Sequence, residues 1–364
     1  MISPNDARLL SVSLFKALET LTRADALLHS MHFAESPILA TLFRASQTAC
    51  SSCESALTHV EPFYDEHAFR DFSDSACRTL VTSALEHADI VVAALEHASV
   101  RLVSPPDLHL PLLCGEEAMR AAIDAGDLGA ISLGVVLFRE SPPPSSSKLV
   151  HFALRSQSTR CVKCREHVVR ILMSVPSVAV SASEIDSISF TALMHASQGG
   201  NVESVNALLA CPCVVASANT VNCFGDTALM IASARGHDEI VKALLACPSV
   251  IQNAGAANQR NHTALMLASM HGHTETIRTL LACPVIMDSA STTNTFGRTA
   301  LMLASMQGHT ETVIALLECP AIIHVADFAD MRGKTALMLA SIQGHMETVF
   351  ALLTAKKLKI HLKF

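Results

Sequence analysis

The chain has 364 residues, half of them hydrophobic and 16% charged, a composition that excludes a disordered chain and suggests two domains or an extended array. Its formal charge of −7, from 26 Lys and Arg against 33 Asp and Glu, leaves no global basic field to hold nucleic acid or an anionic membrane. Aromatic residues are scarce, with no Trp and one Tyr, Tyr64, so a stacking platform for bases is excluded as well.

The N-terminus, Met1 to Arg8, lacks the cationic and apolar segments of a signal peptide. Residues 1–103 carry no internal repeat. Asn5 and Asp6 can cap a helix from Ala7 towards Met31, a second apolar-periodic segment runs from Pro37 to about Val60, and a third from Ser73 to about Arg101. Together they predict an N-terminal helical bundle over 1–103. Pro105, Pro106 and Pro111 mark a linker at 104–115. The longest apolar run, Leu128 to Phe138, reaches only about half of the ~20 residues a membrane span needs, despite a mean hydropathy of +0.37. No membrane insertion is expected.

From Thr191 onward the sequence repeats itself. Thr-Ala-Leu-Met begins at Thr191, Thr227, Thr263, Thr299 and Thr335, always 36 residues apart. Gly200, Gly236, Gly272, Gly308 and Gly344 follow in register, and His237, His273, His309 and His345 come directly after four of them. Each of the five units closes on a Leu-Leu pair, and four then carry Cys-Pro: Cys211-Pro212, Cys247-Pro248, Cys283-Pro284 and Cys319-Pro320. The Thr predicts an N-cap, the Gly a left-handed end to a short first helix, and the Leu-Leu pair the apolar face of a second helix. Pro stops that second helix, and a polar loop leads to the next unit. The loop ends in Asn222 to Gly225, Asn294 to Gly297 or Asp330 to Gly333, turns needing positive φ. Asn261 replaces the Gly in the third unit and Ser189 in the first, where a looser turn is expected.

This unit resembles the ankyrin repeat, a turn followed by two antiparallel helices with a Thr-Pro-Leu-His-x-Ala signature. Thr, Leu, the small residue, Gly-His and Leu-Leu match across five repeats spanning 183–354; Ala228 and Met230 stand where the signature has Pro and His. Each unit is also three residues longer, which predicts a longer loop after the Leu-Leu pair. Two degenerate copies are read over 116–180, around Glu117–Asp127 and Glu166–Val178, separated by a Pro/Ser loop at 141–147. Residues 355–364, rich in Lys, form a basic C-terminal cap or tail. The expected fold is therefore all-α, an ankyrin-type helical solenoid with short β-turn or hairpin tips, preceded by an N-terminal helical region. Repeat energetics predict that Leu281→Ala, in mid-array, costs about 2–5 kcal/mol.

Twelve cysteines spread over the chain read as thiols of a cytosolic or nuclear protein. Cys50 and Cys53 with His59, and Cys161 and Cys164 with His167, have zinc-like spacing, but the pairs lie 108 residues apart. The periodic histidines fall one repeat apart, too far to share an ion, and the resemblance makes them turn residues bonded to neighbouring backbone. No nucleophile elbow, P-loop or dinucleotide fingerprint is present. No metal, no cofactor and no enzymatic activity are expected.

The resemblance instead implies binding on a concave face built from the turn tips and first helices. Its variable positions fall on Phe224, Asp226 and Arg235; on Arg260, His262, Met270 and His271; on Phe296, Arg298, Met306 and Gln307; and on Arg332, Lys334, Ile342 and Gln343. With their immediate neighbours these positions hold five basic residues, two histidines and a single acid, in an acidic chain. That composition suits a protein or peptide partner with acidic and apolar side chains, bound by a monomer that takes no nucleic acid. The alternative is an N-terminal region with metal-dependent or other enzymatic activity, for which the array recruits substrate.

Overall fold

The structure is a computed structural model that describes residues 13, 16–22, 37–60, 83–94, 116–140, 148–156 and 162–361. The chain divides into two compact units, Met1–Val178 and Ala179–Phe364. Among the described residues it is helical, with no strand beyond two isolated antiparallel bridges, Ala257 with Thr263 and Ala329 with Thr335.

In the first unit, helix Pro37–Val60 packs on helix Leu128–Glu140, which also meets helix Glu116–Ala125 and helix Val162–Met173. Residues 16–22 and 83–94 are helical too. The first and third segments of the expected N-terminal bundle otherwise lie outside the described residues, as do the linker at 104–115 and the loop at 141–147. Gly126, between Glu116–Ala125 and Leu128–Glu140, sits at φ 69°, the left-handed turn that also divides the helices of the later repeats.

The second unit is an all-α repeat solenoid. Its first helices are Ala192–Gly199, Ala228–Arg235, Ala264–His271, Ala300–Gln307 and Ala336–Gln343. The preceding Thr of each is extended and its hydroxyl accepts from the amide three residues on, at 3.3–3.4 Å, so the cap forms as expected. The second helices are Val202–Leu209, Asp238–Leu245, Thr274–Leu281, Thr310–Leu317 and Met346–His361. First helices stack on first helices, and second helices on second helices, from one repeat to the next. Glu203, Glu239, Glu275, Glu311 and Glu347 lie in the first turns of the second helices, where a carboxylate complements the helix dipole.

Three expectations are corrected. The extra residues do not form a loop: Pro212–Ala216, Pro248–Gln252, Pro284–Asp288 and Pro320–His324 are short third helices, each with its Pro in the first turn. Proline ends the helix before it and suits the start of the next, because its missing N–H is unneeded there. The first turn is not loose either. Ser189 takes φ 61°, and Asp186 Oδ1 accepts from the amides of Ile188 and Phe190 at 3.0 and 2.9 Å, the same closure Asn222 and Asn258 give later turns. Finally, the two leucines of each pair are not equivalent: Leu208, Leu244, Leu280 and Leu316 are fully buried, whereas Leu281 is half-buried.

Between the stacked first helices lies a row of buried hydroxyls. Ser197, Ser233, Ser269 and Ser305 are 0% exposed and their hydroxyls have no hydrogen-bond partner. A side chain this small lets the helices approach, but an unpaired buried hydroxyl costs about 1–3 kcal/mol. Ser269→Ala is expected to raise stability by about 1 kcal/mol in denaturant unfolding. The same change at Ser341, which is exposed in the fifth repeat, should leave the midpoint in place.

Candidate functional site

The tips of successive repeats are joined by main-chain bonds. Gln259 donates its amide to the Phe224 carbonyl at 3.2 Å, Thr295 to Arg260 at 3.3 Å and Met331 to Phe296 at 3.1 Å. A second set of bonds joins the residue before three of the capping Thr to the turn of the next repeat. Asn258 Nδ2 donates to Asp226 Oδ1 at 2.7 Å, Asn294 Nδ2 meets His262 Nε2 at 3.0 Å, and Arg298 Nε approaches Asp330 Oδ2 at 3.4 Å. These ties hold the tips in one row.

The expected contact residues divide into two groups along that row. Phe224 and Phe296 are each 59% exposed, and Arg235, Arg260, His271, Gln307, Arg332, Ile342 and Gln343 are exposed as well. Met270, Met306 and Lys334 are half-buried between them. Asp226, His262 and Arg298 face the neighbouring repeat and spend their polar atoms there. Arg298 is held three ways: on Asp330, on Met306 Sδ at 3.4 Å, and over the Phe296 ring at 5.7 Å. Its charge still lies at the surface, but its first task is to fix the tip.

The electrostatics follow from these contacts. Asp330 accepts from the amides of Lys334 and Arg332, and these bonds with the Arg298 guanidinium hold its carboxyl below the usual range. Burial, and then the Arg260 charge, push the His262 imidazole down, favouring the neutral ring beside Asn294. Burial and the imidazoles of His273 and His309 lower His271. The exposed cations of the row are thus Arg235, Arg260 and Arg332, with the imidazoles a weaker contribution.

Two features escape the sequence reading. Phe328 is 51% exposed seven residues before its Thr, outside the repeat signature and beside Met331, a variable position that is 77% exposed. In the first repeat, His195 Nε2 lies 2.9 Å from Asp186 Oδ2 in a buried pair, where later repeats place Ile231, Leu267, Leu303 and Leu339. Burial opposes ionisation of Asp186, but the bonds from His195 and two amides outweigh it and hold the carboxyl low.

The periodic histidines do what the resemblance implied. The Nε2 atoms of His273, His309 and His345 lie 3.1–3.2 Å from the carbonyls of Ala234, Met270 and Met306 in the preceding repeat. Among the described residues no three His, Cys, Asp or Glu side chains come together to hold a metal ion. Cys53 is buried and its thiol is pushed up to about 11, chiefly by that burial. The side chains of His59, Cys161 and Cys164 lie outside the described residues.

Residues 193–289 and 285–363 match the family model for ankyrin repeats in three copies. A crystal structure of an ankyrin repeat domain from Acinetobacter baumannii AYE is similar, with 26% sequence identity and a TM-score of 0.46. The match covers 57% of this chain and 98% of that one. Among curated proteins nothing matches.

Proposed function

We propose that this chain, whose residues 193–363 are ankyrin repeats, is a non-enzymatic binding module that holds an extended protein segment along its row of tips and first helices. Ankyrin repeats are in general protein–protein interaction modules, and no helix among the described residues is long and apolar enough to cross a membrane. The observation that carries the finer reading is the composition of the exposed row. Phe224 and Phe296 stand out as apolar anchors, with Arg235, Arg260 and Arg332 open to solvent around them. Exposed aromatics among arginines are the composition of an interface. The segment they suit has acidic side chains interleaved with apolar ones, bound by a monomer in the cytosol or nucleus.

The test is a paired affinity capture with the wild-type chain and a Phe224→Ala, Phe296→Ala, Arg260→Glu variant. Arg260 is chosen over Arg298 because its side chain is exposed, whereas Arg298 also ties two repeats together. The variant should keep its helical circular dichroism and weaken a captured partner by at least about tenfold, about 1.4 kcal/mol. Equal binding by both chains would remove the row from the interface.

A further inference from the structure

Cys211 and Cys213 flank Pro212 at the start of the first short helix, and both are half-buried. Their sulfurs lie 2.7 Å apart, closer than two unbonded sulfur atoms rest and within reach of a bond of about 2.05 Å. Pro212 fixes the intervening φ, so little chain freedom remains to be lost on closure. The other repeats show what this position needs structurally. Ser249 follows Cys247-Pro248, with its hydroxyl 3.2 Å from Cys247 Sγ, and donates to the Val215 carbonyl one repeat back at 3.1 Å. Cys213 makes the same two contacts, meeting Cys211 and donating to the Ala179 carbonyl at 3.3 Å. Val285 and Ala321 fill the position later. A hydroxyl or a methyl group is therefore sufficient for the fold, and a second thiol is required only by thiol chemistry.

We infer that Cys211-Pro212-Cys213 is a redox modification site, a dithiol that closes to a disulfide by exchange with a low-molecular-weight disulfide. In the first step the Cys211 thiolate attacks one sulfur of the small disulfide. A mixed disulfide forms, and the other half leaves as a thiolate that takes up the proton Cys211 lost. The Cys213 thiolate then attacks Cys211 Sγ, expelling the second small thiol. The balance is one small disulfide reduced to two thiols for one protein disulfide formed. The second step is favoured by position, since the target sulfur is already in contact with Cys213 Sγ. Closure removes the S–H that Ala179 accepts from, so this tie is broken in the oxidised form.

The full chain, equilibrated in glutathione buffers of rising oxidised fraction, quenched in acid and alkylated, tests this directly. Trypsin releases Ile171–Arg235, which holds Cys211, Cys213 and Cys223. The expected result is a fall from three labels on this peptide to a single label, on Cys223. In a Cys223→Ser chain the count should fall from two to none. Cys213→Ser, with the serine already present at 249, should fold normally and trap the mixed disulfide on Cys211. Three labels at every glutathione ratio would overturn the inference, and so would a glutathione adduct that accumulates on Cys211 of the wild-type chain.

Discussion

Leu280→Ala lowers the free energy of unfolding by about 2–5 kcal/mol. The side chain is 0% exposed on Thr274–Leu281, a helix that packs against the second helices before and after it. Its removal opens a cavity in mid-array, where the neighbouring units are too tightly stacked to collapse fully. Leu281, expected from the sequence to carry this effect, is only partly buried, so Leu281→Ala should cost less. Guanidinium unfolding of both variants checks this: the two midpoints should separate clearly, and equal shifts would contradict the register of the second helix.

Gly272→Ala is the second large effect, about 2–4 kcal/mol. The residue holds φ 75°, which costs a non-glycine residue about 1–2 kcal/mol. A β-carbon there would also lie 2.6 Å from His309 Nδ1, because the imidazole of the next repeat rests on this glycine. The ring must swing away, and its contact with the Met270 carbonyl goes with it. Gly344 separates the two contributions. It has φ 77° but nothing within 4 Å of its would-be β-carbon, so Gly344→Ala should cost only the backbone share. Combining Gly272→Ala with His309→Ala should recover about 1 kcal/mol relative to additivity, since the clash is absent once the ring is gone.

The register of the array is legible in the sequence because its markers act locally. A Thr caps the amides three residues on, a Gly supplies a left-handed φ, and the Leu pair sets an apolar face. Contacts between repeats are less legible, because the partner lies about one period away. Glycine at 272 is explained by its φ alone until His309 is seen resting on it. Asp226, His262 and Arg298 read as ligand contacts until Asn258, Asn294 and Asp330, each 32 residues on, are seen beside them. The short third helices were hidden by the double meaning of proline, which ends one helix and opens another. The exposed row itself, Phe224, Phe296, Arg260 and Arg332, is reached through the family resemblance, and the structure adds which members of it are exposed.

The histidine contacts point one way. The imidazoles of His273, His309 and His345 reach back to carbonyls of the repeat before, so these three junctions each have a key on the C-terminal side and a seat on the N-terminal side. The array thus has a growth polarity. A repeat lost from the C-terminal end takes its key away and leaves a carbonyl that water can satisfy. A repeat lost from the other end strands a ring without its seat. The two ends of the array are therefore chemically unlike: shortening it from one side uncovers carbonyls, and from the other it uncovers an imidazole.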